Sequence, residues 1–192
     1  MRGIVSVLES SSDAPADITL RDGTTMCVRP VCRADAAAMS AFFEALSPES
    51  LYLRFFGTPR RDTIVDWALN CDLNDRYALV ATVGPGRHIV GHAAYVRFDD
   101  DRAEVAFLVA DEWQGHGIAT ILLGRLAAVA RAHGIFRFNA EVLSYNRHML
   151  DVFEQSGFRV SLHSEQGVAE VEFPTALTPE ALLCYQAREP AE

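Results

Sequence analysis

The spacing of hydrophobic residues predicts three helices near the start of the chain. Apolar residues three and four positions apart indicate a helix over residues 35–46. Ser47 and Pro48 then begin a second helix, because serine caps helix N-termini and proline suits the first helical position. Gly57 ends this helix, and a third, shorter helix is expected over residues 64–69.

Alternating and continuous apolar runs predict strands in most of the remaining chain. The longest amphipathic helix lies over residues 116–133, where Arg125 falls at the margin of the apolar face. Helices and strands alternate toward the C-terminus, which predicts an α/β chain with a mixed, partly parallel, twisted sheet that helices flank. The predicted strands cover residues 25–31, 77–83, 88–98, 103–110, 136–143, 158–163 and 169–173, and one more helix covers 146–155.

Length and composition indicate a single globular domain. The chain has 192 residues, of which 49% are hydrophobic and 22% charged. Its small, polar beginning predicts a flexible lead-in over residues 1–17, with ordered structure beginning at the strand near residue 25. The domain itself is expected over residues 18–178, followed by a tail over 179–192 with room for one short helix.

Charge and cysteine content narrow the class of protein. The formal net charge of −9 argues against sequence-independent binding of nucleic acid, which needs a surplus of lysine and arginine. No apolar run approaches the roughly 18 to 20 residues of a membrane span. The four cysteines lack C-x-x-C spacing, so neither a disulfide framework nor a metal site is expected. These features predict a cytoplasmic protein without a membrane or nucleic-acid partner, and its oligomeric state stays open.

A glycine-rich segment after the strand at 103–110 predicts an anion site. Residues 114–119, with the sequence QGHGIA, lead directly into the long helix. The glycines allow a bulky anion to approach the backbone, and the helix N-terminus adds about half a positive charge. We expect the backbone N–H groups of residues 115–120 to hold a pyrophosphate. The alternative is a glycine-rich helix start that binds nothing.

This segment fits the acyl-CoA signature Q/R-x-x-G-x-G/A of the GNAT N-acetyltransferases at every specified position. It follows an apolar strand and opens an amphipathic helix, and Asn146 with the later Gly157-Phe158 resembles the family's next helix and its ending. The chain therefore resembles this family from about residue 17 to residue 173. The resemblance implies the GNAT acyl-CoA N-acyltransferase fold, with acetyl-CoA as the acyl donor.

Segments before the signature resemble one group within that family, the catalytic domain of bacterial protein lysine acetyltransferases. Those enzymes modify a lysine of acyl-CoA synthetases, and their catalytic domain is often fused to a regulatory domain. Few residues precede the predicted first strand here, so we expect either a stand-alone member or one part of a longer protein. The matching segments are LRDGT at 20–24, VRP at 28–30, LSPES at 46–50 and LRFF at 53–56.

The resemblance also implies the cofactor contacts. The pantetheine arm is expected to pair with the main chain at the end of the strand, where one backbone N–H serves as the oxyanion donor. Asn146 is an N-cap, a cofactor ligand, or both. Phe153 stands where many members carry the tyrosine that protonates the departing thiolate, so CoA leaves as the thiolate or takes a proton from water. The predicted cofactor-binding residues are Leu108, Val109, Ala110, Gln114, Gly115, His116, Gly117, Ile118, Ala119, Thr120 and Asn146, and no metal ligand is predicted.

Glu104 is the predicted catalytic base. A lysine amine is protonated at neutral pH and must lose a proton before it attacks a thioester. Strand alternation puts Glu104 on the face of Ala106 and Leu108, where an apolar surrounding would make its carboxylate a stronger base. The resemblance agrees, because lysine acetyltransferases of this kind carry a glutamate on this strand as the base. The alternative is a solvated glutamate at a strand start.

These observations predict an acetyl-CoA-dependent N-acetyltransferase that acts on the ε-amine of protein lysines, with acyl-CoA synthetases as the leading substrates. No cysteine lies in the signature, so the amine is expected to attack directly, without a covalent enzyme intermediate. Arg54, Phe55 and Phe56 are candidates for the acceptor side, and packing in the core is the alternative for the two phenylalanines. Two alternatives stay open: an acetyltransferase for small amines, and a non-catalytic module that senses acyl-CoA.

Overall fold

One mixed sheet forms the centre of the structure, a computed structural model that describes residues 14–72 and 75–181. Its strand order is β1-β2-β3-β4-β5-β6-β8-β7, and every neighbouring pair is antiparallel except β5 with β6. The strands are β1 Ala16–Thr19, β2 Thr25–Pro30, β3 Arg76–Val83, β4 His88–Arg97, β5 Arg102–Val109, β6 Arg137–Leu143, β7 Ser161–Glu165 and β8 Val168–Pro174.

Helices cover both faces of this sheet. On one face, α1 and α3 pack against the strands through a core cluster that includes Phe43, Ile64, Val80 and Leu108. On the other face, α4 and α5 pack against the alternate strand residues in a second cluster. No helix of the described ranges is long and apolar enough to cross a membrane. The helices are α1 Ala36–Ala45, α2 Pro48–Phe55, α3 Arg61–Leu69, α4 Ile118–Ala132 and α5 Arg147–Glu154.

The predicted fold class is confirmed, and two details of the strand prediction are wrong. Strand β1 precedes the strand predicted as the first and begins inside the predicted lead-in, because buried Ile18 packs into the core while β1 pairs with β2. Phe158 belongs to no strand but forms a single bridge with Leu177 and packs its ring 5.3 Å from that of Phe173. Most of the lead-in and of the tail, residues 1–13 and 182–192, lies outside the described residues.

The parallel pairing of β5 with β6 is short, and the sheet opens where this pairing ends. The two strands pair only from Arg102 opposite Arg137 to Glu104 opposite Asn139. Beyond that point β5 continues beside β4 as far as Val109, while β6 continues beside β8. The two halves of the sheet therefore separate, and the edge of β5 that faces β6 has no partner strand.

Candidate active site

The separation of β5 and β6 opens a cleft of about 600 Å³. Its walls are the ends of these two strands. They are surrounded by α2, by α5 and by the glycine loop, the loop at residues 114–117 that leads into α4. Most predicted site residues meet here, where Asn146 at the start of α5 joins the continuous segment 104–120. The predicted residues that line the cleft are Glu104, Leu108, Val109, Gln114, Gly115, Gly117, Ile118, Ala119, Thr120 and Asn146.

Two of the predicted cofactor-binding residues, Ala110 and His116, do not line the cleft. The N–H of Ala110 donates to the Val90 carbonyl at 2.9 Å, so it points toward β4. Because hydrogen-bonded and non-bonded pairs alternate along an antiparallel ladder, the main chain of Val109, opposite Gly91, points the other way, into the cleft. Val109 is therefore the strand-end residue whose N–H is placed to meet a ligand.

The N-terminus of α4 presents open hydrogen-bond donors to the cleft. Gly115 and Gly117 adopt φ of +79° and +80°, the left-handed conformation that glycine accepts without strain. In the described part of the chain, the N–H groups of residues 117–120 have no hydrogen-bond partner, and the first helical bond runs from Ile121 to Gly117. The first turn of α4 also lacks an acidic side chain. The arrangement suits a phosphate group.

The ring of His116 is turned away from the cleft. Its Nδ1 lies 3.0 Å from the Gln114 carbonyl oxygen, and its Nε2 lies 3.7 Å from a carboxylate oxygen of Asp22. The ring centre also lies 5.6 Å from that of Trp113. Any contribution of His116 to ligand binding therefore comes from its backbone N–H.

Asp111 fastens the glycine loop to the start of α2. Its carboxylate accepts hydrogen bonds from the Ser47 N–H at 2.9 Å, the Ser47 hydroxyl at 2.8 Å and the Ser50 hydroxyl at 2.7 Å. Burial alone would raise the pKa of Asp111, but the hydrogen bonds from Ser50 and Ser47 outweigh it and hold the pKa below its ordinary value. The sequence predicted Ser47 as an N-cap, confirmed by a 3.1 Å bond from the Ser50 N–H, but gave no sign of Asp111.

Glu104 lies where β5 and β6 separate, at one end of the cleft. The prediction that Glu104 has an apolar surrounding is wrong, because its side chain is exposed at the edge of β5 where β6 departs. Its carboxylate makes no hydrogen bond or ion pair with another residue of the described ranges. It is therefore available to accept a proton from a ligand or from water.

Arg54 extends from α2 into the same cleft. Its guanidinium carbon lies 4.8 Å from the ring centre of Phe55 and 5.2 Å from that of Trp67. Burial lowers the pKa of Arg54 to about 10, and the negative charge of Glu104 acts against this. Arg54 therefore remains a cation at neutral pH. Of the three residues whose place the sequence left open, Arg54 and Phe56 line the cleft, whereas Phe55 packs against the core cluster of α1 and α3.

His92 is packed behind this cation rather than in the cleft. It lies on β4 with 4% of its surface exposed, and its ring centre is 6.1 Å from that of Trp67. Burial, with a smaller contribution from the charge of Arg54, lowers the pKa of His92 to about 4. His92 is therefore neutral at physiological pH and does not act as an acid there.

Helix α5 supplies the opposite wall. Asn146 caps it, because its Oδ1 accepts a 3.2 Å hydrogen bond from the Met149 N–H, and its side chain also lines the cleft. Phe153 is 1% exposed, and its ring lies 5.4 Å from those of Phe107 and Phe173. Tyr145 is 63% exposed and does not line the cleft. The cleft wall at position 153 is therefore apolar and carries no proton donor.

Comparison with known proteins agrees with this geometry. The model of the acetyltransferase (GNAT) family matches residues 39–158. The acetyltransferase Pat of Mycolicibacterium smegmatis is 32% identical over 166 residues, which cover 83% of this chain and 49% of Pat. The chain thus spans about half the length of that relative.

Solved structures show the same likeness. The GNAT domain of S. lividans PAT is 41% identical, with a TM-score of 0.76 over 83% of this chain and 96% of that domain. The fold is shared with yncA of Salmonella typhimurium, solved with its cofactor acetyl-CoA, at 21% identity and a TM-score of 0.62 over 80% and 96% of the two chains. The chain belongs to the acetyltransferase (GNAT) family, which confirms the family that the glycine signature indicated.

Proposed function

We propose that this chain is an acetyl-CoA-dependent acetyltransferase of protein lysine side chains, with acyl-CoA synthetases as the leading substrates. One observation carries the proposal: the open donors at the start of α4 and the unpaired carboxylate of Glu104 line a single cleft. The N–H donors of α4 suit the diphosphate of an acyl-CoA, and the Glu104 carboxylate suits a protonated amine. The likeness to Pat and to the S. lividans PAT domain supports a protein acceptor.

In this proposal the main chain holds the acyl donor. The N–H groups of residues 117–120 would bind the diphosphate, and the Val109 N–H would donate to the thioester oxygen, where negative charge develops during attack. Acetyl-CoA supplies the activated acyl group. Phe153 and the apolar wall around it would exclude water from the thioester side.

Glu104 would prepare the acceptor. Its free carboxylate takes a proton from the lysine ammonium, directly or through one water, and the neutral amine then attacks the thioester carbon. Phe153 offers no proton to the sulfur, and Tyr145 lies outside the cleft. The CoA thiol would therefore depart as a thiolate or receive its proton from water.

The role of Glu104 is tested by the substitution Glu104→Gln, which keeps the shape of the side chain but cannot accept the proton. We expect turnover at pH 7 to fall by about 10²- to 10⁴-fold, with the acetyl-CoA dissociation constant unchanged. Thiol release measures turnover, and calorimetry measures binding. Glu165→Gln, an exposed position on β7, serves as the control. Wild-type turnover in Glu104→Gln would remove Glu104 from the mechanism.

The class of acceptor needs a separate experiment. We would incubate the protein with labelled acetyl-CoA and candidate acyl-CoA synthetases, and then locate the modified lysine by mass spectrometry. Labelling of a specific lysine supports the proposal. Rapid turnover with polyamines or amino acids instead of proteins would favour a small-amine acetyltransferase, and tight acyl-CoA binding without any turnover would favour a sensing module.

A further inference from the structure

Arg54 is a partly buried cation without an acceptor in the described part of the chain. Two other partly buried arginines are paired, Arg29 with the Asp35 carboxylate at 2.6 Å, and Arg97 with Asp75 and the His133 carbonyl. For Arg54, no oxygen of the described residues accepts a hydrogen bond, and its guanidinium lies against the rings of Phe55 and Trp67. A guanidinium has five N–H donors, so those of Arg54 are left for whatever enters the cleft.

The side chain is held in place before any ligand arrives. Phe55 and Trp67 contact the guanidinium, and this limits its orientation. Helix α2, which carries Arg54, is fastened at its first turn by the hydrogen bonds to Asp111. The donors of Arg54 are thus pre-organised relative to the cleft, which reduces the entropy lost on binding.

The position of Arg54 indicates which ligand it meets. It lines the cleft together with Glu104, whose charge acts on it, and it belongs to α2. The open donors at the start of α4 and at Val109 come from other segments, which lie later in the chain than Glu104. A ligand group at Arg54 therefore accompanies the amine that Glu104 serves, rather than the diphosphate of the acyl donor.

We propose that Arg54 determines acceptor specificity by binding a carbonyl oxygen of the acceptor's main chain, next to the amine that Glu104 deprotonates. This inference rests on the proposed function. The N–H donors of a guanidinium can bind a carbonyl oxygen, whereas an alkyl amine without a carbonyl group offers them no acceptor. Arg54 would thus select an amine carried by a polypeptide over a simple amine of the same length.

The test compares two acceptors that share one alkyl amine. Nα-acetyl-lysine N-methylamide carries the flanking carbonyl groups, and n-butylamine carries none. We would measure kcat/KM for both by thiol release with the wild-type protein, Arg54→Met and Arg54→Gln. The control is Arg60→Met, which removes the same charge from an exposed position outside the cleft.

The preference for the lysine compound over butylamine is expected to fall about tenfold or more in both Arg54 variants, the effect of losing one hydrogen bond to a charged group. Acetyl-CoA affinity and the Arg60→Met values should not change. Because the charges of Arg54 and Glu104 also interact, the pH profile of kcat/KM is recorded for each variant. Arg54→Gln retains a polar side chain, so the two acceptors can still be compared in this variant if Arg54→Met does not fold.

Several results would overturn the inference. One is an equal loss with both acceptors accompanied by a shifted pH profile, since Arg54 would then act only through Glu104. Another is weakened acetyl-CoA binding with an unchanged preference, which would place the ligand of Arg54 on the acyl donor. A wild-type protein that modifies butylamine alone would contradict the proposed function itself, and this outcome is distinct from the other two.

Discussion

At the scale of single residues, Asp111 joins the two sides of the cleft. It lies in the short turn Asp111–Trp113 that leads to the glycine loop, and its carboxylate accepts three hydrogen bonds from the first turn of α2. Arg54 lies further along the same helix. The position of α2 relative to the glycine loop therefore depends on this carboxylate.

The substitution Asp111→Asn tests this connection through stability. The amide keeps the shape but removes the charge that strengthens all three hydrogen bonds. We expect the free energy of unfolding at pH 7 to fall by about 1 kcal/mol, the low end for bonds to a charged group because Asp111 is exposed. Urea unfolding of both proteins measures the difference.

The pH dependence of that difference has a definite sign. The folded pKa of Asp111 is lowered, so its stabilising contribution is complete above the unfolded pKa of about 3.9 and is lost as pH falls through the folded value. The gap between wild type and Asp111→Asn should thus be constant near neutrality and shrink below about pH 4. Asp66→Asn, exposed on α3, should leave unfolding unchanged at every pH. A gap that widens in acid would contradict the assignment.

Single residues also show how far local pattern can predict a site. Ser47 could be identified as a cap because its partner lies three residues away. Its contact with Asp111 spans 64 residues, and no periodicity encodes it. Alternation placed Glu104 on the correct strand face, but its exposure depends on how β6 departs, which is again a long-range property.

At the scale of elements, α4 contributes both to the core and to the wall of the cleft. Its apolar face, including Leu122 and Leu126, is fully buried, while its N-terminus opens on the cleft. Both ends of the helix adjoin glycines in the left-handed conformation, Gly117 at φ +80° and Gly134 at φ +78°. A Cβ on either would meet no atom within 4 Å, so the requirement for glycine is conformational rather than steric.

These two glycines allow a matched experiment. Gly117→Ala and Gly134→Ala should each lower the free energy of unfolding by about 1 kcal/mol, because each places an L-residue in the left-handed region. Only Gly117→Ala should weaken acetyl-CoA binding, by about tenfold, since the strain would move the N–H groups that are proposed to bind the diphosphate. Calorimetry measures the affinity. Equal affinities in the two variants would show that the start of α4 does not bind the cofactor.

Elements differed in how well the sequence predicted them. Long amphipathic or continuous apolar segments such as α4 and β3 were predicted to within two residues. Strand β1 was missed because its four residues are too few for alternation to emerge, and its stability comes from pairing with β2. The prediction of a strand at Phe158 was wrong, because this apolar residue packs against Phe173 and forms only a single bridge instead of pairing along a strand.

At the scale of the whole molecule, the cleft is a consequence of sheet topology. It exists because β5 follows β4 while β6 follows β8, so their pairing ends at Glu104 and Asn139. The order of elements predicted a mixed, partly parallel sheet, but the point where β5 and β6 separate depends on how each strand pairs with its other neighbour. The glycine-rich helix start and the resemblance to a family, rather than periodicity, indicated a ligand at this place.

The other long-range connection joins the N-terminal segment to α4. Arg125, predicted at the margin of the apolar face, is only 2% exposed, and its Nη2 donates to the Ala14 carbonyl at 2.7 Å across 111 residues. The bond lies just before β1, the edge strand of the sheet. We therefore expect Arg125 to hold this edge in place.

Replacing Arg125 with alanine should lower the free energy of unfolding by about 2–5 kcal/mol, because it leaves a cavity and removes the donor to a main-chain carbonyl. Arg131→Ala, exposed on the same helix, should change it by less than about 0.5 kcal/mol. Hydrogen exchange distinguishes an anchor from general core packing. If Arg125 anchors the edge, the β1–β2 amides will exchange faster than those of β6 and β8 in Arg125→Ala. Exchange that is faster across the whole sheet, or only in α4, would contradict that role. In that case β1 is held by its pairing with β2 and by the burial of Ile18.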